Sequence, residues 1–148
     1  GGTGNIDKSC LIFAWEHPSV SNESAKRGFQ TVMCPGQKTY FDMAYNNATS
    51  ERGICWAATI EASEIHSWKP LKDVDKDYHN LILGVQGQLW SETITKPEYI
   101  DTLINPRLAC LSEVAWCSDN RRGWAEFKPT LLHNMKILSK LGWKYHDF

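Results

Sequence analysis

The chain has 148 residues, enough for about one ordinary domain, and its 42% apolar content can fill a core. A formal net charge of −1 and a pI of about 6.6 exclude a basic stripe for nucleic acid and a like-charge tail. No apolar run approaches the roughly 20 residues of a membrane-spanning helix.

The opening GGTGNIDKSC has neither the basic nor the long apolar region of a signal peptide, so residues 1–9 read as a cut end or an expression remnant. CLIFAW (Cys10–Trp15) is a short apolar run, predicted as a strand buried on both faces. HPSVSNES is a polar loop, and NESAKRG carries a short helix that stops at Gly28. FQTVMCP is a second strand closed by PGQ. A strand, a crossover and a second strand predict a parallel pair. KTYFDMAYNNATSERG is long, aromatic and irregular. CWAATIEASEIHSW has the Ala and Glu of a helix.

KPLKDVDKDYHN is a polar loop, and LILGVQGQLW is a third strand. Its two glycines mark a bend or a close backbone approach. KPEYIDTLINPRLACLSEVAW has the best helical pattern. Pro106 suits a first turn, and Leu108, Leu111, Val114 and Ala115 recur at helical spacing. GWAEFKPTLLHNMKILSKLGW is a last amphipathic helix ended by Gly142. The order predicts an α/β fold with a parallel sheet. Parallel strands are normally covered on both faces, and this chain holds few elements to cover three.

Two composition features bear on function. The 7 Trp exceed what a core needs and suggest exposed aromatic surface, against which sugar C–H faces can lie. The five cysteines (Cys10, Cys34, Cys55, Cys110 and Cys117) are odd in number, include no C-x-x-C pair and sit mostly in apolar runs. They are expected as free core thiols.

Polar and aromatic residues collect after each predicted strand: Trp15-Glu16-His17, Tyr40-Phe41-Asp42 and Trp90-Ser91-Glu92. In a (β/α)8 barrel the active site is built at the C-terminal strand ends, from several strands at once. Trp90 and Glu92, two apart, point to one side of a strand end. They are expected on the rim of a pocket.

TYFDMAYNNATSERGICWA, GVQGQLWSET and NPRLACLSEVAW together resemble family 20 glycoside hydrolases, the β-N-acetylhexosaminidases. The YFDMxY…ERGxxWA form is most similar to the chitobiase branch. The resemblance runs from Leu11 to about Tyr145 and implies the last three βα units of a (β/α)8 TIM barrel. Such a barrel takes about 250 residues, so residues 1–148 are expected as a C-terminal segment of the catalytic domain. The resemblance further implies a role for each motif residue. Trp15 and Trp90 line the pocket for the N-acetyl group. Tyr40 donates to the acetamido carbonyl oxygen, the internal nucleophile. Asp42 and Glu92 accept from sugar hydroxyls, and Trp56 stacks under the next sugar.

Ionised carboxylates are acceptor-only, which suits hydroxyl pairs. A Tyr hydroxyl can fix the angle at which a carbonyl oxygen attacks. No Asp-Glu dipeptide exists in the chain, so the family's acid pair does not occur here, and the resemblance implies that its sugar-binding Arg also lies upstream. Val114 stands where the family usually has Arg.

Blander roles compete. Trp15 and Trp56 could be core residues, and Tyr40-Asp42 a turn with an exposed carboxylate. Glu16 and His17 adjoin Pro18 and fit a solvated loop. His66, His79, His133 and His146 lack metal-ligand spacing, and neither metal nor organic cofactor is expected. Arg107 and Glu113 fit a structural ion pair or cap contact. The resemblance implies an N-acetylglucosamine-containing oligosaccharide as ligand, the remainder of the barrel or a second copy as partner, and a periplasmic or secreted location. The alternative is a non-catalytic sugar-binding half-barrel, whose open sheet edge needs a partner.

Overall fold

A computed structural model describes residues 5–117 and 120–148. The first four residues of the presumed cut end lie outside the described residues. Three short strands, β1 (Ile12–Ala14), β2 (Thr31–Met33) and β3 (Ile82–Val85), form one parallel sheet in the order β1-β2-β3. Ile12 pairs with Thr31, Ala14 with Met33, and Met33 with Val85. Between β2 and β3 the register shifts. Thr31 faces Ile82 and Val32 faces Gly84, which leaves Leu83 as an extra residue. β2 ends where Pro35 removes a backbone donor.

Helix α1 (Pro18–Lys26) starts earlier than its sequence pattern suggests. Pro18 fits the first turn, and the His17 ring accepts from the Ser19 N–H at 3.3 Å. Part of HPSVSNES is therefore helical and not loop. The small side chains Ser21 and Ala25 let the helix lie close on β1 and β2. It stops at Gly28, whose φ of 81° is left-handed.

PGQ opens a single turn, α2 (Gly36–Thr39). The helix expected over CWAATIEASEIHSW shrinks to α3 (Ala62–Ser67), started by a reciprocal Glu61–Glu64 capping box. Upstream residues stay non-helical because tertiary pairing overrides propensity. Ile54 bridges Met43, and the Ile60 N–H donates to the Ala44 carbonyl at 2.9 Å. The loop KPLKDVDKDYHN is tightened into two 3-10 turns, Pro70–Asp73 and Lys76–Leu81.

The long C-terminal pattern is two helices, α4 (Glu98–Ile104) and α5 (Arg107–Trp116), parted at Pro106. α6 (Trp124–Lys140) is the amphipathic helix, closed by a Schellman pair of bonds, Trp143 N–H to Leu138 O and Gly142 N–H to Ser139 O. Its Phe127, Leu131 and Met135 recur every four residues and are buried. Each such side chain contributes about 1.5–3 kcal/mol of gross burial. They join Met33, Phe41, Met43, Ile65, Leu111 and Val114 in one core, mainly between α3, α5, α6 and the segment after β2. No described helix is long and apolar enough to cross a membrane.

Two expectations fail. β1 is not buried on both faces: Ala14 is buried, but Phe13 is 48% exposed, because the described helices cover only one face of it. Only Cys34 and Cys110 are core thiols. Cys10, Cys55 and Cys117 are free but exposed, since none lies within a helix or strand.

Candidate active site

The segments beyond the three strands converge. A parallel bridge between Tyr40 and Gln88 carries the β2–β3 pairing past the ladder. The Phe41 N–H donates to the Gln88 carbonyl at 2.7 Å, and the Gln88 N–H to the Thr39 carbonyl at 2.9 Å. Alternation after β3 puts Gln88 and Trp90 on one side, with Trp90 against Tyr40. Asp42 and Glu92 sit in turns closed by Met43 N–H to Tyr40 O at 3.3 Å and Ile94 N–H to Ser91 O at 3.0 Å. Trp15 follows β1 directly and shares a face with Phe13.

Together with Trp56, these residues line a cavity of about 490 Å³: Phe13, Trp15, Tyr40, Asp42, Trp56, Gln88, Trp90 and Glu92. All six sequence-predicted site residues are among them. Phe13 and Gln88 are additions that the sequence reading missed. Each lies two residues before a singled-out Trp, so strand alternation was the available signal. A larger hollow of about 560 Å³ runs along β1 and α1, past Ile6, Val20 and Phe29. It holds none of Tyr40, Asp42, Trp90 and Glu92, so the smaller cavity is the better candidate.

The walls are mutually braced. The Tyr40 ring meets Trp56 edge-on at 5.8 Å between centroids and lies tilted against Trp90 at 6.2 Å. Trp15 meets Trp56 at 6.3 Å. Tyr40 is buried, while the three Trp keep about half their surface open. A ring held on two sides aims its hydroxyl without much freedom.

Asp42 is 1% exposed. Its Oδ1 accepts a long 3.4 Å bond from the Trp90 N–H, and Oδ2 has no partner among the described residues. Burial raises its carboxyl above the ordinary range, and Glu92 adds to the rise. The backbone N–H of Trp90 and the charge of Arg107 oppose it. Burial also raises the Tyr40 phenol, which keeps it a donor. The cavity thus offers a neutral hydroxyl and an under-bonded carboxylate between aromatic walls.

Two glycines hold this geometry. Gly53 has φ 114°, and a Cβ there would fall 2.6 Å from both the Asp42 carbonyl oxygen and the Ala44 nitrogen. The ERG turn can therefore pack directly behind Asp42. A Cβ on Gly87 would fall 2.6 Å from the Phe41 ring, the close approach expected of a strand glycine.

Arg107 makes no ion pair among the described residues, but of the two expected roles it has the cap contact: Nε and Nη2 donate to the Leu103 carbonyl in the last turn of α4. It is fully buried and donates only to backbone carbonyls in its neighbourhood. The interior there offers carbonyls left over by the irregular loop, and among the described residues no carboxylate lies within ion-pair reach. Val114 is buried in the core. Glu16 and His17 are exposed, and His17 serves as the α1 cap. His66 stacks on Phe127 at 4.4 Å, and His79 bonds the Val74 carbonyl. His146 pairs with Glu51, and His133 is exposed.

The model of the glycosyl hydrolase family 20 catalytic domain matches residues 2–119. The chain belongs to glycosyl hydrolase family 20. A β-N-acetylhexosaminidase of Cellulomonas fimi is 31% identical over 144 residues, which are 95% of this chain and 29% of that protein. A β-hexosaminidase of Vibrio furnissii is 31% identical over 72% of this chain and 18% of its own length. Among solved structures, a family 20 exo-β-N-acetylglucosaminidase from Vibrio harveyi, in complex with N-acetylglucosamine, superposes with a TM-score of 0.91 at 30% identity. It covers 98% of this chain and 23% of that one. The chain therefore spans less than a third of these relatives. Its parallel strands and flanking helices are a portion of the family's (β/α)8 barrel.

Proposed function

We propose that this family 20 chain is the C-terminal part of the catalytic barrel of a β-N-acetylhexosaminidase, and that it holds the terminal sugar during substrate-assisted, retaining hydrolysis. The observation that carries this is the convergence of Tyr40, Asp42, Glu92 and three Trp in one cavity beyond the strand ends. The names of the relatives support a terminal, β-linked N-acetylglucosamine as the substrate class, and a Vibrio harveyi N,N'-diacetylchitobiase among them favours chitin-type oligosaccharides.

The roles follow from chemistry. Trp15 and Trp90 wall in the acetamido methyl and exclude water. The Tyr40 hydroxyl donates to the acetamido carbonyl oxygen and holds it beneath the anomeric carbon, which that oxygen attacks. Tyr40 touches the reacting atom and is the catalytic residue of this segment. The carboxylates of Asp42 and Glu92 accept from the sugar's hydroxyls. Trp56 stacks under the sugar on the leaving side. The leaving oxygen needs a proton, and the acid for it comes from the remainder of the barrel, which is the partner this reading requires. Export to the periplasm or the medium is the matching location, tested by fractionating the source cells.

Glu92→Gln in the complete enzyme tests the reading. It should weaken turnover of an aryl N-acetyl-β-glucosaminide about tenfold or more, as loss of a charge-assisted bond does, and leave the melting temperature unchanged. Unfolding with full activity per folded molecule would make Glu92 structural and remove the sugar-holding role. Purified residues 1–148 should bind but not turn over this substrate; turnover by them alone would refute the division of the site.

A further inference from the structure

We propose that Arg107, outside the cavity, is a positioning residue that sets the reach of Asp42 and Tyr40 toward the sugar by clamping the backbone on both sides of Asp42. The inference rests on the proposed function and adds a residue to it. The carbonyls of the Tyr40–Met43 stretch lie past the end of the β ladder. Asp42's carbonyl is taken by the Ile54 N–H at 2.9 Å. Those on either side of it have no strand to bond. Arg107 supplies the donors: Nη2 reaches the Phe41 carbonyl at 2.6 Å, and Nη1 the Met43 carbonyl at 2.8 Å.

The same guanidinium is tied back to its own helix start. Nε and Nη2 donate to the Leu103 carbonyl at 3.0 and 2.8 Å. Its plane sits 3.7 Å over the Tyr45 ring, and that ring stacks on His146 at 3.7 Å. The Tyr45 hydroxyl lies 2.9 Å from the carbonyls of both Thr102 and Asn105, so it braces the α4–α5 turn that carries Arg107.

The planar fork explains why Arg stands here. Two carbonyls flanking one residue need two donors at fixed separation, which a guanidinium presents and an ammonium does not. A buried charge bonded only to carbonyls, with no carboxylate at contact distance among the described residues, is costly to keep. An apolar side chain of similar volume would fill the core as well and leave the two carbonyls bare. The arrangement is explained if what it holds is the Asp42 backbone. Displacing that backbone moves a carboxylate and a phenol that must meet the sugar within a few tenths of an ångström.

A kinetic double-mutant cycle between Arg107→Lys and Asp42→Asn in the complete enzyme separates positioning from mere packing. Arg107→Lys should lower kcat/KM for an aryl N-acetyl-β-glucosaminide about tenfold with Asp42 present, and only about threefold in the Asp42→Asn background, where the Tyr40 share of the positioning remains. A core residue that only supports the fold would cost the same factor in both backgrounds, and that result overturns the proposal. Tyr45→Phe keeps the ring under the guanidinium and removes the brace at the helix turn. Run through the same cycle, it should show the same coupling at about threefold, and it decides the matter where Arg107→Lys does not fold. If neither variant changes kcat/KM, the proposal fails. A wild-type enzyme with no hexosaminidase activity fails the proposed function itself and this inference with it; an active enzyme with additive variants fails only the inference.

Discussion

Asp42→Asn should make the protein more stable and less active, and the two effects should respond differently to pH. Asp42 is almost fully buried with one oxygen unpartnered and the other on a 3.4 Å bond. Its folded-state pKa is raised above the unfolded value of 3.8. An acid with a raised folded pKa binds its proton more tightly when folded. Stability therefore falls as pH rises from the unfolded pKa through the folded one, and the penalty is complete at neutral pH. Removing an under-satisfied buried polar charge returns on the order of 1–3 kcal/mol. Asn keeps an acceptor for the Trp90 N–H but leaves an amide unpaired, so about 1 kcal/mol is the expected net gain, or roughly 1–2 °C in Tm for the complete enzyme, because the shift shrinks as chain length grows. Below the unfolded pKa the wild-type carboxyl is neutral too, and the gain should vanish. Activity moves the other way. Loss of one charge-assisted bond to a hydroxyl costs about 1.5–3 kcal/mol, ten- to hundredfold in kcat/KM. Thermal melts of the complete enzyme at pH 7 and pH 3.5, beside steady-state kinetics, check both signs. A Tm that falls at pH 7, or a gain that persists at pH 3.5, would refute the argument from burial.

Tyr40→Phe should reduce kcat about a hundredfold with KM little changed, as removal of a single preorganised donor to the reacting oxygen does; single-turnover kinetics read this step directly. Gly53→Ala should destabilise by about 2–4 kcal/mol, from left-handed backbone strain plus the clash with the Asp42 and Ala44 backbone, measured by urea unfolding. Trp56→Ala should weaken oligosaccharides more than a methyl N-acetyl-β-glucosaminide, by about 1 kcal/mol of stacking, in paired inhibition assays.

The sheet, its parallel sense and the strand-end grouping were legible because apolar runs and alternation are local signals. The six candidate site residues were found on motifs, and the cavity places them together. Other features were not local. The helix expected through Cys55–Ile60 is lost to pairing with the Met43–Ala44 backbone, a contact that no helix propensity encodes. α1 began early because a His served as cap, a role usually read from Ser, Thr, Asp or Asn. Arg107 was expected in an ion pair because charges on a helix usually meet charges. Its partners are backbone carbonyls, which every residue carries and which no side-chain pattern distinguishes. Phe13 and Gln88 were within reach of the alternation rule and were passed over for the more conspicuous Trp15 and Trp90.

The central claim is that this cavity grips a 2-acetamido sugar whose own carbonyl oxygen is the nucleophile. The most direct measurement compares kcat/KM of the complete enzyme on two aryl β-glycosides that differ only at C2, one with an acetamido group and one with a hydroxyl. The acetamido substrate should be preferred by at least about a thousandfold, since the hydroxyl analogue leaves Tyr40 without its acceptor and supplies no internal nucleophile. Comparable rates on both would contradict the account, because the Trp15, Tyr40 and Trp90 side of the cavity would then hold nothing the reaction needs.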